Sequence, residues 1–285
     1  MRKKNQGFEQ DYINYYIEKV EYIKNKYPNI TGENRRTGRA LKNICFFIWY
    51  YAKEEDNAMI DLLLKASVLL VAQDDFYDSL NISNGKKKEF YSVCVNVIKG
   101  GKYNLDNETQ QFMELVNLWK EINQEVKNAS SYLYAYWKNK SLELNDAMLR
   151  ENDIIRQKNV TFNEYIKVST NSVGIIFIWA TYFTKKNISN VELKKIDPTL
   201  FIGAEISRLS NDIASYRRKK NRINAISVVK NNKSPKKYIL NLIKKEHIKF
   251  NNSLSKVKIE NEVKQVIKKS VDFLEMFYKT SDFDQ

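Results

Sequence analysis

Histidine is nearly absent from this chain of 285 residues; the one copy, His247, sits in a Lys- and Glu-rich stretch. That excludes Ser-His-Asp chemistry and any histidine-based metal cluster. The two cysteines, Cys45 and Cys94, give neither a disulfide framework nor a metal-site spacing, which fits a reducing cytosol. Glycine (8) and proline (3) are scarce, which disfavours sheet-rich and loop-rich folds and suits long helices. No run approaches the ~20 apolar residues of a membrane span, so no transmembrane segment is expected. Met1 to Gln10 is basic but lacks an apolar core, so it does not read as a secretory signal, and a cytoplasmic location is expected. Acidic residues (34) are outnumbered by Lys and Arg (48), for a net charge of +14. The lysines are spread along the chain beside many asparagines, and no RNA- or DNA-binding motif of known spacing occurs, so no nucleic-acid partner is expected.

What is present is apolar residues at helical spacing, 43% of the chain, enough for a sizeable core. Residues 9–27 read as an amphipathic helix with Tyr12, Tyr15, Tyr16, Val20 and Ile23 apolar, closed by Pro28. Thr31 to Gly38 reads as a polar turn, and Leu41 to Ala52 as a helix apolar on nearly all sides. Further helices are predicted near 57–79, 89–99, 106–126, 129–156, 161–183, 189–196, 198–220, 222–230, 235–253 and 257–278, with Asp197-Pro198 and Ser234-Pro235 as helix starts. Gly174 interrupts the helix from 161; an interior glycine costs about 1 kcal/mol against alanine and marks close packing or a break. No repeat, linker or strand alternation is visible, so a single all-α domain over 1–285 is expected.

Val71-Ala72-Gln73-Asp74-Asp75-Phe76-Tyr77-Asp78 ends a run that holds Lys65 as its one charge from Leu62 to Val71. Asp74 and Asp78, at i and i+4, project from one helix face with Asp75 a step round. Carboxylates this close repel, and burial makes that worse, whereas a divalent cation resolves both problems. All-oxygen ligands favour Mg²⁺ or Mn²⁺. The bland alternative is an ordinary acidic helix end; three acids at this spacing arise by chance about 0.5 times in such a chain, so the motif needs a second element. Ser207-Arg208-Leu209-Ser210-Asn211-Asp212-Ile213-Ala214-Ser215-Tyr216-Arg217-Arg218-Lys219 supplies it. Asn211, Ser215 and Lys219 share one face; an amide oxygen and a hydroxyl one turn apart can bind a hard cation, with Asp212 orienting neighbours. Taken alone, that segment reads more readily as solvated polar residues.

Together, Asp-Asp-Phe-Tyr-Asp and Asn-Asp-Ile-Ala-Ser-Tyr-Arg-Arg-Lys in an all-α chain resemble the class I terpene synthase family, which carries DDxxD and NDxxSxxxE motifs on facing helices. The resemblance covers nearly the whole chain, including the Trp119 helix, Glu151 and Arg156 before Glu164-Tyr165, the Gly174 break, and Phe277-Tyr278-Lys279-Thr280. Tyr165 to Gly174 and Arg208 to Asp212 are most similar to small bacterial diterpene synthases, kaurene-synthase-like ones included. The resemblance implies a bundle of about 10–12 helices around a central active-site cavity. It implies a three-ion Mg²⁺ cluster gripping a prenyl diphosphate, a C20 substrate with C15 as the alternative, and release of diphosphate with a terpene hydrocarbon or alcohol. Family members are often dimers, so a homodimer is an open expectation. Position by position, Asp74 and Asp78 would hold metal, with Asp75 either a further ligand or paired with a basic residue, and Asn211 and Ser215 would hold another ion. Ser172, Val173 and Gly174 would form the break whose carbonyl faces the ionising bond, and Lys167, Arg208, Lys219 and Tyr278 would face the diphosphate. Phe46, Trp49, Phe76, Tyr77, Phe177 and Trp179 would line the cation pocket, although each alone reads more readily as plain core.

Three positions depart from the family pattern. Lys219 stands where the second motif ends in Glu, Ser169 where many members have a diphosphate-sensing Arg, and Phe277 where the C-terminal Arg-Tyr pair has its Arg. A cation at Lys219 repels Mg²⁺ by about 4 kcal/mol at 4 Å and intermediate dielectric, which implies fewer ions. Either Lys219 touches the diphosphate itself, the account preferred here, or the site is degenerate. A chain-elongating prenyltransferase would need a second aspartate-rich motif, which Asn211 to Ser215 is not. A basic helical polyanion binder, the most distant reading, would bind with strong salt dependence and no need of Mg²⁺.

Overall fold

The computed structural model describes residues 14–15, 17–105, 108–154, 159–216 and 223–280, and among them there is no β-strand. Tyr12, Tyr16, Arg156 and the run from Arg217 to Arg222, Lys219 included, lie outside the described residues. The helices are α1 (residues 17–26), α2 (Pro28–Thr31), α3 (Arg36–Ala52), α4 (Asn57–Asp78), α5 (Asn84–Lys99), α6 (Gln110–Ala129), α7 (Ser131–Ile154), α8 (Phe162–Ser172), α9 (Ile175–Phe183), α10 (Asn190–Ser215), α11 (Ala225–Val228), α12 (Pro235–Lys256) and α13 (Asn261–Thr280). None of the described helices is long and apolar enough to cross a membrane. Packing of α3 on α4, α4 on α9, α9 on α10, α10 on α13 and α13 back on α3 closes a ring.

Helix α4 is the hub. Asp56 caps it by accepting from the Met59 N–H at 2.7 Å, and Leu62 to Leu69 is buried throughout. A helix apolar on all sides has no amphipathic stripe to fix its rotation. Gln73 does that here: fully buried, its amide donates to Asn145 Oδ1 (3.0 Å) and its oxygen accepts from Trp119 Nε1 (2.7 Å), while Asn145 donates to the Ser141 carbonyl (2.8 Å). A satisfied polar network of this kind specifies one arrangement, and it turns the next residue, Asp74, toward the opposite side. Gln73→Leu is expected to strand the Trp119 N–H and the Asn145 side-chain oxygen at about 1–3 kcal/mol each. A thermal melt followed by circular dichroism should show Tm falling by about 5–15 °C.

Several boundaries differ from the sequence expectation, and three have a plain physical cause. Helix α3 begins at Arg36, not Leu41, because Gly38 marks a close approach and not a turn: a Cβ there would lie 2.4 Å from the carbonyl oxygens of Thr31 and Gly32. Helix α5 begins at Asn84, before the expected 89, with the Ser83 hydroxyl accepting from Lys86 N–H at 3.2 Å. The two helices expected at 189–196 and 198–220 are one helix, α10 (Asn190–Ser215), that runs through Pro198. Proline removes one N–H from the ladder, and the turn is braced from outside: Asp197 accepts from Tyr136 OH (2.6 Å) and Lys140 Nζ (2.9 Å) on α7.

Candidate active site

The ring encloses a cavity of about 1250 Å³, counting its open mouth. One face of α4 forms a wall: Ser67, Leu70, Val71, Asp74 and Asp78 recur at intervals of three and four and all line the cavity. The acidic end of that face meets Arg36, whose guanidinium bonds Asp74 and lies 3.8 Å from Asp78. Arg36 can do this because α3 starts where it does. Asp75 points off this wall; burial pushes its carboxyl above the ordinary range, with Arg36 acting against the shift.

Across the cavity, α10 presents Arg208, Asn211, Asp212 and Ser215. Arg208 reaches Glu151 of α7 at 2.6 Å and Asp212 at 3.1 Å, and donates to Tyr165 OH at 3.0 Å. Tyr165 OH donates in turn to Asp212 at 2.6 Å, which also accepts the Ala225 N–H at 2.9 Å. Burial opposes the charge on Arg208, but Asp212 and Glu151 outweigh it and hold the guanidinium firmly protonated. Burial pushes the Glu151 carboxyl up, countered by Arg208 and by the Ser172 hydroxyl, which donates to it. This network locks α7, α8 and α10 together behind the site. Asn211 donates its amide N–H to Tyr278 OH at 2.9 Å, leaving its oxygen as the end that Tyr278 does not engage.

Between these walls α8 stops and α9 starts. Gly174 adopts φ 77°, ψ 0°, the left-handed region, and Leu70 of α4 packs where a Cβ would be. Ser172, Val173 and Ile175 around this break line the cavity. The donor set (carboxylates of Asp74 and Asp78, amide of Asn211, hydroxyl of Ser215) is all oxygen and fits a hard divalent cation. No three His, Cys, Asp or Glu side chains converge into a ready-made chelate among the described residues, and positive charge at the aspartates comes from Arg36. The cysteines are buried, and burial pushes the Cys45 thiol up to about 12, so it is no nucleophile.

The structure therefore brings Asp74, Asp78, Ser172, Arg208, Asn211, Ser215, Tyr77 and Tyr278 to one cavity, with Gly174 directly behind it. Lys167 is exposed on α8 and is not part of the wall, and Lys219 lies outside the described residues. Five of the six expected pocket aromatics face elsewhere, which corrects that expectation. Phe76 packs on Phe90 (4.5 Å) and Phe112 (5.9 Å) behind α4, and Phe177 packs on Trp119 (5.3 Å) and Trp137 (6.0 Å). Trp179 donates to Ser270 Oγ at 2.8 Å, Phe46 packs on Phe273 (5.4 Å), and Trp49 lies under Lys53. On α3 the cavity takes Ile44 and Phe47 instead, because Phe46 and Trp49 are rotated off that face. Sequence reasoning missed Arg36, read as part of a turn, and Phe47; the signal for Phe47 was its i+3 spacing from Ile44. At the departing positions, Ser169 is fully buried, and Phe277 is buried and stacked on Phe273 at 5.6 Å.

Comparison with known proteins follows the same direction. No curated protein matches the chain by sequence. Among solved structures, limonene synthase with 2-fluorolinalyl diphosphate is similar over 95% of this chain at 11% identity and a TM-score of 0.71. This chain spans about half of that protein, 52% of its length. Linalool/nerolidol synthase from Streptomyces clavuligerus, in complex with 2-fluorogeranyl diphosphate, matches 86% of this chain and 94% of its own at 10% identity and a TM-score of 0.66. Germacradien-4-ol synthase from Streptomyces citricolor matches 94% and 90% at 10% identity and a TM-score of 0.67. At such identities these likenesses concern the fold alone. The family described as terpene synthase family 2, C-terminal metal binding, matches residues 65–236, which hold both the Asp74–Asp78 face and the Asn211–Ser215 face. That match covers more than half of the sequence, and the chain belongs to the terpene synthase family.

Proposed function

We propose that this protein is a Mg²⁺-dependent terpene synthase or cyclase that ionises a prenyl diphosphate, C20 in preference to C15, and releases a terpene hydrocarbon or alcohol with diphosphate. The observation that carries the reading is the arrangement of one helix face: α4 sets two carboxylates at one end of a cavity and Leu70 and Val71 beside its apolar part. An ionisable headgroup and a greasy tail would need those two surroundings side by side.

Asp74 and Asp78, with Asn211 and Ser215 opposite, would hold divalent metal; Mg²⁺ suits this set, with Mn²⁺ as a substitute. A bound metal supplies Lewis-acid charge for the departing diphosphate. The chain's own residues do the rest. Arg36 offers a forked guanidinium on the same wall as the aspartates, suited to bidentate phosphate contact. It is the cation on that wall in a chain with serine at 169 and phenylalanine at 277. Arg208, held by Glu151, Asp212 and Tyr165, lends fixed positive charge without needing to move. Tyr278 orients Asn211, and the break between α8 and α9 would turn a backbone carbonyl toward the reacting bond. Ile44, Phe47, Ile178 and Leu274 exclude water from the cation, and Phe47 turns a ring toward it.

The Arg36–Asp74 pair also favours a second reading, a binding protein that keeps the fold without turnover, because an internal cation already neutralises the aspartates. Incubation with geranyl, farnesyl, geranylgeranyl and copalyl diphosphates, with and without Mg²⁺, followed by mass spectrometry of extracts, separates the two. The synthase reading requires a Mg²⁺-dependent product from at least one substrate; binding of a diphosphate analogue without any product would establish the other.

A further inference from the structure

Ser67 sits on the same face of α4 as Asp74, seven residues earlier, which places it about 10 Å further along the helix axis and within about 20° of the same direction. It is 5% exposed and lines the cavity, and its hydroxyl has no hydrogen-bond partner among the described residues. Serine or threonine inside a helix commonly returns its hydroxyl to the carbonyl one turn back. In this chain Ser141, Thr181 and Ser207 do so, at 2.9, 2.8 and 2.9 Å. Ser67 does not, nor do the buried helical Ser169, Thr170 and Ser210, but of these four Ser67 is the one that lines the cavity. The apolar part of the cavity lining includes Ile44, Phe47, Leu70, Val71, Ile178 and Leu274. A buried polar atom left without a partner is costly and calls for an explanation.

We propose that Ser67 is a specificity-determining residue: its unengaged hydroxyl oxygen fixes where positive charge rests on the hydrocarbon chain, two helical turns from the diphosphate. The inference depends on the prenyl diphosphate reading of the cavity. A cation formed at the acidic end can place its charge on several carbons of the chain. Beside the apolar lining a fixed oxygen dipole favours the carbon nearest to it, because the low dielectric leaves that dipole unscreened. The Tyr77 hydroxyl, the other partnerless oxygen on a cavity-lining side chain among the described residues, lies ten residues on, beside the aspartates. Ser67 forms no bond to the substrate and takes no proton; it selects among cations of similar energy and so sets the product ratio.

The test compares wild type, Ser67→Ala and Ser67→Thr by product distribution and by binding of an aza-prenyl amine, protonated at neutral pH, added with Mg²⁺ and pyrophosphate and followed by calorimetry. Ser67→Ala removes an oxygen that makes no internal bond, so Tm stays near wild type. Its main product should change share at least about threefold, and the ammonium should bind about tenfold more weakly. Ser67→Thr, which keeps an oxygen at that place, should retain the ammonium affinity. An unchanged product ratio together with unchanged ammonium affinity in Ser67→Ala overturns the assignment while leaving an active wild type as a terpene synthase. An inactive wild type would instead remove the synthase reading; the ammonium measurement then decides alone whether Ser67 marks a cation site.

Discussion

Asp74→Ala is expected to lower kcat/KM by a factor on the order of 10³ while leaving the melting temperature unchanged or a few degrees higher. The two halves of that expectation have separate physical origins. Charge stabilisation of a leaving group is worth about 10²–10³ per group removed, and Asp74 is placed both to hold metal and to position Arg36. Stability should not follow, because Asp74 is a third exposed, and an ion pair so placed contributes little. Removing it also relieves repulsion among Asp74, Asp75 and Asp78, which lie within one turn of α4. Added Mg²⁺ gives an independent readout: it should raise the Tm of wild type, by an amount that grows with the ratio of metal to its Kd, and not that of the variant. A parallel fall in Tm and turnover would mean that Asp74 holds the fold, and the site would have to be sought elsewhere. A gain in stability with a loss of activity is the trade expected where like charges are held together for function.

The aspartate face was legible because its spacing is a helix rule that needs no tertiary information: Asp74 and Asp78 share a face wherever the helix goes. That Asn211 and Ser215 share a face was legible for the same reason, but taken alone they read as solvated, and only the family resemblance placed them at a site; the interruption at Gly174 was marked by the glycine itself. What escaped depended on rotation and on neighbours. The stretch Leu41 to Ala52 of α3 is apolar on nearly all sides, so periodicity could not separate Phe47, which lines the cavity, from Phe46 and Trp49, which do not. Arg36 was hidden by a glycine read as a turn, when Gly38 in fact admits the backbone of Thr31 and Gly32. Asp212 was expected to orient neighbours, but its joining Glu151, Arg208 and Tyr165 in one network was not legible, because isolated charges in a sequence read as solvated and only the fold brings these four together. Pro198 misled in the opposite sense, since a helix start and a braced interior turn have the same local sequence.

Gly174→Ala should cost about 2–5 kcal/mol, with a Tm lower by roughly 5–15 °C, and should reduce turnover beyond what that instability explains. Two independent terms combine at this residue. An L-residue in the left-handed region pays about 1–2 kcal/mol of backbone strain, and Gly174 stands at φ 77°. Separately, the new Cβ would lie 2.1 Å from Leu70 Cδ1, so Leu70 must move, and Leu70 is part of the cavity wall. Leu70→Ala in the same chain removes the collision but not the strain, so the double variant should recover part of the added cost. A double-mutant cycle measures that recovered fraction as the coupling between the two residues. The remaining deficit belongs to the backbone. If turnover recovers together with stability, the glycine serves only to let α4 and the α8–α9 junction approach each other. If stability recovers and turnover does not, the left-handed turn itself is what aims Ser172 and the carbonyls of α8 into the cavity, and the break is part of the reaction machinery and not merely a consequence of packing.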